Sequence, residues 1–173
     1  TLIIALILVV LVVYLFLHDF RATLIPALSI IVSLTGTFAF IYAVGFTLNM
    51  LTLFAIVLVI GTVVDDSVVV VEAVQAKFDE GEDDSYRATV SAMGGLSAAL
   101  ITTTVVFMAV FIPVCFLGGT SGTFYKQFGL TMAVAVGISL INAMTLCPAL
   151  SALLMQRKTI NGTKATYIER FHY

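Results

Sequence analysis

Between Ala22 and Val64 the sequence contains no Lys, Arg, His, Asp or Glu. A run of this length is long enough to cross a bilayer twice, since one helical span takes about 20 mostly apolar residues. The whole chain is 61% hydrophobic and 10% charged, whereas soluble domains average about 25% charged residues. Because a chain in lipid must satisfy its backbone polar groups internally, long apolar runs of this kind predict membrane-spanning helices. We therefore expect an all-α membrane protein.

Hydropathy predicts five spans, separated by short polar connections. Pro26 is expected in the first turn of the second span, where a proline is best tolerated. The first span is short, as if its start were missing, and the one long polar stretch lies between the third and fourth spans. The predicted spans are residues 1–17, 24–44, 48–71, 96–117 and 130–155, with connections at 72–95 and 118–129 and a tail or linker at 156–173.

The basic residues predict the orientation of these spans. With five spans, Arg21, the connection at 72–95 and the tail at 156–173 fall on one side of the membrane, and they carry seven of the eight Lys and Arg residues. The other side receives only Lys126. Lys and Arg accumulate in cytoplasmic loops, so we expect 72–95 and 156–173 in the cytoplasm and 118–129 outside.

Asp65 and Asp66 are adjacent within the third predicted span. A carboxylate at the centre of a membrane helix costs about 2.5 to 3.5 kcal/mol even on insertion scales. A carboxylic acid kept from water can work by taking up and releasing a proton, so we interpret the pair as a proton relay. Successive helical residues point about 100° apart, so the two acids would flank a polar interior from two directions. The alternative is that one or both face the cytoplasmic interface.

Three further residues are candidates for supporting that pair. Gly61 lies one turn before Asp65, where it leaves room for a neighbouring helix, and Thr62 lies one turn before Asp66. Asn142 is an amide in the fifth span, and an amide is hard to satisfy within its own helix. The hydroxyls of the fourth and fifth spans are expected to bond back to their own helices; they belong to Thr102, Thr103, Thr104, Ser139 and Thr145.

Two cysteines and two capping candidates have structural interpretations. Cys115 and Cys147 stand in apolar runs of different spans, so we interpret both as small buried hydrophobic residues rather than a disulfide framework. Asp84 or Ser85 is placed to cap a helix that runs into the fourth span.

The predicted spans contain no Lys or Arg, although acids at membrane depth are normally paired. We therefore expect the basic partners of the two aspartates to lie in chain that this sequence lacks. The net charge of −2 does not suggest nucleic-acid binding, and no cofactor or metal site is expected, protons being the coupling ion.

Other membrane functions fit the sequence less well. An intramembrane aspartyl protease needs its two aspartates on different helices, whereas one span carries both here. A channel would need a repeated polar stripe along a pore. A purely structural module would leave the costly carboxylates unexplained. We therefore favour a secondary active transporter over an enzyme.

Four segments resemble the resistance-nodulation-division (RND) efflux pumps, most closely their hydrophobe/amphiphile, or multidrug, branch. The third span with its flanks is similar to the fourth membrane helix of that family, and the other segments agree in order and spacing. The segments are GFTLNMLTLF at 45–54 leading into GTVVDDSVVVVE at 61–72, FRATLIP at 20–26, FLGG at 116–119 through YKQF at 125–128, and NAMTLCPAL at 142–150.

The resemblance implies that the chain holds the second to sixth of twelve helices in a multi-pass protein of the bacterial inner membrane, with 118–129 in the periplasm. It implies that Asp65 and Asp66 translocate protons against a Lys and an Arg of the missing C-terminal half. It further implies a homotrimer that joins a periplasmic adaptor and an outer-membrane channel, and a drug/proton antiport in which this chain contacts lipid but no drug. A proton-coupled metal or lipid exporter of the same fold, or a fragment inactive alone, remains the alternative.

Overall fold

The computed structural model describes residues 2–17, 19–119 and 121–155, and these ranges contain helices and no strands. The predicted all-α class is confirmed, although the tail from residue 156 lies outside the described residues. The helices are α1 (Leu2–Leu17), α2 (Phe20–Val44), α3 (Met50–Asp79), α4 (Ser85–Val114), α5 (Gly122–Met144) and α6 (Leu146–Leu154).

Four stretches are long and apolar enough to cross a membrane: α2, α3, α4 and the near-continuous pair α5–α6, Gly122–Leu154. The first predicted span corresponds to α1, which has 16 residues and is shorter than the roughly 20 that a span takes. Helices can extend past the hydrocarbon, so the helix bounds do not mark the bilayer, and the span limits stay predictions.

Local sequence explains the turn from α2 to α3. Gly45 ends α2 with φ 72°, and its N–H bonds to the carbonyls of Ile41 and Tyr42; glycine adopts this left-handed conformation without a Cβ penalty. Asn49 then begins α3 with a capping box, in which its side chain accepts from the Thr52 N–H and the Asn49 N–H donates to the Thr52 hydroxyl. The two helices are thereby joined by a short turn.

Pro26 lies inside a continuous helix, whereas Pro148 lies just after a helix break. Pro26 was expected in the first turn of its helix, and this is wrong: α2 begins at Phe20, capped by Asp19, so Pro26 lies in its second turn. Between α5 and α6 the helix breaks at Thr145 (φ −119°, ψ −64°), three residues before Pro148. Proline lacks a backbone donor and clashes with the preceding turn, which accounts for a break at this place.

The polar connection predicted at 72–95 is largely helical. Helix α3 continues to Asp79 and α4 begins at Ser85, where the Asp84 side chain accepts from the Tyr86 N–H. The predicted cap at Asp84 is confirmed. A turn of five residues, 80–84, connects the two helices.

Helix α3 is the centre of the bundle, since it packs against each of the other five described helices. One apolar cluster surrounds its first half, including Ile56, Val59 and Val63, and a second surrounds its later half, including Val70 and Val74. Helix α4 buries little of its surface. The fold therefore puts the helix that carries both aspartates in the middle of the chain's own packing.

Candidate functional site

Asp65 and Asp66 lie near the midpoint of the 30-residue helix α3. At a rise of about 1.5 Å per residue, each is roughly 20 Å from the nearer end of the helix. No other acid of α3 precedes them, and the next one is Glu72, two turns later. The pair is therefore positioned by the most central helix of the bundle, far along it from both polar turns.

The two carboxylates face different surroundings, as the 100° step between neighbours requires. Asp66 is half-buried and its Oδ2 accepts a hydrogen bond of 2.6 Å from the Ser139 hydroxyl of α5. Asp65 is exposed in this chain. It lines a groove of about 390 Å³ between α1 and α3, together with Phe16 and Glu72.

Both aspartates also border one small cavity of about 90 Å³ between α3, α4 and α5. Its other lining residues include Thr62 and the α4 residues Thr103 and Thr104. One water molecule occupies about 30 Å³ of liquid, so the cavity has room for a few. The acids thus adjoin a space where hydroxyl groups and carboxylates converge.

Of the two candidates next to the pair on α3, Thr62 lines the cavity and Gly61 does not. Thr62 lines the cavity, and its hydroxyl donates to the Val59 carbonyl at 3.0 Å. Gly61 is exposed, and no described atom would lie within 4 Å of a Cβ placed on it. Close packing of another helix at Gly61 therefore stays a prediction, and such a helix would not come from the described part of this chain.

The third candidate, Asn142, makes a contact between helices. Its Nδ2 donates to the Ser33 hydroxyl of α2 at 2.7 Å, and both residues are buried. Nearby, the Cys147 thiol lies 3.6 Å from the Ser67 hydroxyl. Cys147 is buried as predicted, whereas Cys115 is partly exposed.

Sequence reasoning missed two members of this polar interior, Ser139 and Ser33. The expectation of bonding within the helix is confirmed for Thr102, Thr103 and Thr145 but is wrong for Ser139, which donates to Asp66. A signal for Ser33 existed in the sequence: Ser29, Ser33 and Thr37 recur every four residues in an apolar helix, so they share one face, and all three are buried.

No basic side chain of the described residues pairs with Asp65 or Asp66. The two ion pairs found there, Lys77–Glu80 and Arg87–Asp84, lie at the turn between α3 and α4. Within residues 2–17, 19–119 and 121–155 there is also no group of three His, Cys, Asp or Glu residues that could hold a metal ion. Each of the two carboxyl groups can chemically take up or release a proton, and the Ser139 hydroxyl donates a hydrogen bond to one of them.

Comparison with known proteins identifies the family. The sequence model of the AcrB/AcrD/AcrF family matches residues 1–172. The multidrug resistance protein MdtF of Escherichia coli K12 is 45% identical over 164 residues, which is 95% of this chain and 16% of that protein. The multidrug export protein AcrF of the same strain is 45% identical over 152 residues, 88% of this chain and 15% of that protein.

A third relative comes from another genus. The toluene efflux pump membrane transporter TtgB of Pseudomonas putida DOT-T1E is 44% identical over 156 residues, covering 90% of this chain and 15% of that protein. The chain thus spans about a sixth of the length of the curated relatives it matches. The match and the helices of spanning length place it in the inner membrane. The resemblance seen in the four segments is confirmed, and the chain belongs to the AcrB/AcrD/AcrF family of RND transporters, a family of transporters rather than enzymes.

Proposed function

We propose that this chain is the proton-carrying part of an efflux transporter driven by the proton-motive force, a drug/proton antiporter. The observation that carries the proposal is that Asp65 and Asp66 lie at the middle of the central, apolar helix α3 and share one small polar cavity. Ionisable groups inside membrane helices are costly and mark ion or proton pathways. A carboxylic acid exchanges a single proton and changes its charge as it does so, which is the elementary step of such a relay.

We infer different roles for the two acids from their different positions. Asp65 opens to the groove along α1 and α3, where Glu72 follows two turns later on the same face. Asp66 is held in the interior beside Ser139. Both acids line the shared cavity, which is large enough for water, so we propose that protons pass between Asp65 and Asp66 through this cavity.

The counter-charges of this relay are proposed to come from outside the chain. The described residues supply no Lys or Arg to the pair, and Asp65 and Gly61 are both exposed in this chain. A Lys and an Arg of a C-terminal half would complete the site there. A group that binds one state of a protein more tightly shifts the equilibrium towards that state. The Lys and Arg would approach the aspartates when these are ionised and withdraw when they are protonated. Proton uptake would thereby be coupled to a rearrangement of the helices.

The transported substrate and the larger assembly are inferred from relatives. The matched relatives are named as multidrug and toluene efflux proteins, which supports drugs and other amphiphiles over metals as the exported class. We propose a homotrimer with a periplasmic adaptor and an outer-membrane channel. We assign no residue of this chain to drug binding, and we expect the isolated chain to transport nothing.

The experiment replaces each aspartate in a complete transporter that carries this segment. Asp65→Asn and Asp66→Asn keep shape and hydrogen-bonding capacity but cannot ionise, so each should reduce proton-driven efflux of a fluorescent dye at least tenfold. Asp84→Asn is the matched control, because Asn caps a helix about as well as Asp and Asp84 lies at the turn before α4. Equal membrane levels must be shown for all variants. Wild-type efflux in both membrane variants would refute the proposal.

A further inference from the structure

The hydrogen bond between Ser139 and Asp66 has no counterpart at Asp65 among the described residues. Ser139 is only 1% exposed, and its hydroxyl reaches Asp66 Oδ2 at 2.6 Å across the α3–α5 interface. A serine in an apolar helix ordinarily bonds to its own backbone four residues back. The Ser139 hydroxyl instead donates to the carboxylate of Asp66 on another helix.

Helix α5 is anchored so that this hydroxyl keeps its place. Asn142 follows Ser139 by three residues and so lies on the same face of α5. Its amide donates to Ser33 of α2 at 2.7 Å, and the Ser33 side chain is fully buried. Two adjacent residues of one helical face are therefore bonded to two different helices, which opposes rotation of α5 relative to α2 and α3.

The consequence is a difference between the two aspartates. Asp66 is tied to α5, whereas Asp65 points into the groove beside α1 with Glu72. Around the pair, the titratable groups that face it from the described residues are Asp65 and Asp66 themselves, Glu72 in the groove and the Cys147 thiol on α6. Helices α4 and α5 present hydroxyl and apolar groups at the cavity, with no charge.

We propose that Ser139 is a positioning residue that holds the Asp66 carboxylate against α5, so that Asp66 is the fixed member of the proton relay and Asp65 the mobile one. The proposal rests on the proposed function, because it assigns unequal roles within the same relay. Ser139 itself transfers no proton: its hydroxyl orients the carboxylate through the bond to Oδ2, while Asp66 lines the cavity.

The test uses a complete transporter that carries this segment, with Ser139→Ala, Ser139→Thr and the control Ser151→Ala. Ser151 is also a fully buried serine, on α6, and its hydroxyl has no hydrogen-bond partner in the described structure. Ser139→Ala should lower dye efflux at least fivefold and shift the pH at half-maximal efflux by about one unit, the size expected when a hydrogen bond to a charged group is lost. Ser139→Thr, which keeps the hydroxyl, should restore both. Ser151→Ala should match the wild type.

A spectroscopic readout separates positioning from a general loss of structure. The infrared bands of the Asp66 carboxyl, assigned by their disappearance in Asp66→Asn, should shift in Ser139→Ala and return in Ser139→Thr. If Ser139→Ala does not assemble, Ser139→Cys decides, since the thiol is similar in size but a weak donor; it should show the same displaced bands and pH profile.

Each outcome distinguishes this inference from the proposed function. An unchanged pH profile and unchanged bands in the alanine variant, or in the cysteine variant where that one decides, would overturn the role of Ser139 even if Asp66→Asn abolishes efflux. Efflux that survives in both Asp65→Asn and Asp66→Asn would instead overturn the relay. A displaced profile that threonine fails to restore would also count against positioning by the hydroxyl.

Discussion

Asn142 of α5 donates a 2.7 Å hydrogen bond to the hydroxyl of Ser33 on α2, and the two side chains are 6% and 0% exposed. A bond between helices of this kind is worth about 0.6 kcal/mol on average in membrane proteins. Removing one partner costs more than that, because it leaves the other polar group buried without its bond.

Substitution at these two positions should therefore be non-additive. Ser33→Ala leaves the Asn142 amide unsatisfied and should lower the free energy of unfolding by about 1–3 kcal/mol. The double variant Ser33→Ala/Asn142→Leu should lose less than the sum of the two single variants. Unfolding in mixed micelles by a denaturing detergent measures each cost. Strict additivity would show that the two side chains do not interact.

Two glycines should respond oppositely to alanine. A Cβ on Gly129 would lie 2.8 Å from Cys115 Sγ and 2.9 Å from the Phe111 carbonyl oxygen, so Gly129→Ala should destabilise the α4–α5 contact by about 1–3 kcal/mol. A Cβ on Gly61 would meet no described atom. Gly61→Ala should leave the purified chain as stable or stabilise it by up to about 1 kcal/mol through helix propensity.

The same Gly61 substitution gives a different test in a complete transporter. If a helix from another part of the protein packs at Gly61, Gly61→Leu should reduce efflux strongly while Gly61→Ala reduces it less. Membrane levels of both variants provide the control. Wild-type efflux in Gly61→Leu would contradict close packing at this position.

The cap of α4 should contribute measurably to stability. Asp84 accepts from the Tyr86 N–H at 3.0 Å, and removing such a cap costs about 0.5–2 kcal/mol. Asp84→Ala should lower the unfolding free energy by that amount, whereas Asp84→Ser should keep most of it. Circular dichroism of thermal unfolding compares the three proteins. Equal stability of the alanine and serine variants would rule out the cap as the cause.

The two thiols should differ in reactivity and report the orientation of the chain. Cys115 is partly exposed at the end of α4, on the side of the membrane predicted to be outside, while Cys147 is 0% exposed. In intact spheroplasts, a membrane-impermeant maleimide should label the Cys147→Ser variant and leave Cys115→Ser unlabelled. Labelling of Cys115 only after the membrane is opened would reverse the predicted orientation.

Much of this site was readable from the order of residues. The apolar runs predict membrane helices, because helices or closed barrels are the structures that satisfy a backbone in lipid. Two adjacent acids inside such a run predict a relay, because ionisable groups are costly in a membrane helix and usually mark ion or proton pathways. The cap at Asp84 and the membership of a transporter family also followed from local sequence.

Hydropathy was less informative about where the helices end. It reports which residues suit lipid, whereas a helix continues as long as its backbone bonds and packing allow. Helix α3 therefore runs on to Asp79 through Gln75, Ala76 and Lys77, all of which are good helix formers. The break at Thr145, by contrast, has a local cause in Pro148.

The hydrogen bonds inside the bundle required the three-dimensional structure. A serine hydroxyl can donate either to a carbonyl of its own helix or to an acceptor on a neighbouring helix. The sequence identifies the carbonyl in its own helix but not the acceptor on a neighbour. Thr102 and Thr103 both donate to carbonyls of their own helix, α4. Ser139 meets Asp66 because the packing of α5 on α3 brings an acidic oxygen within 2.6 Å. The pattern along the chain was enough to locate the acids; which of the two is held, and by what, depends on the helix that happens to lie across from it.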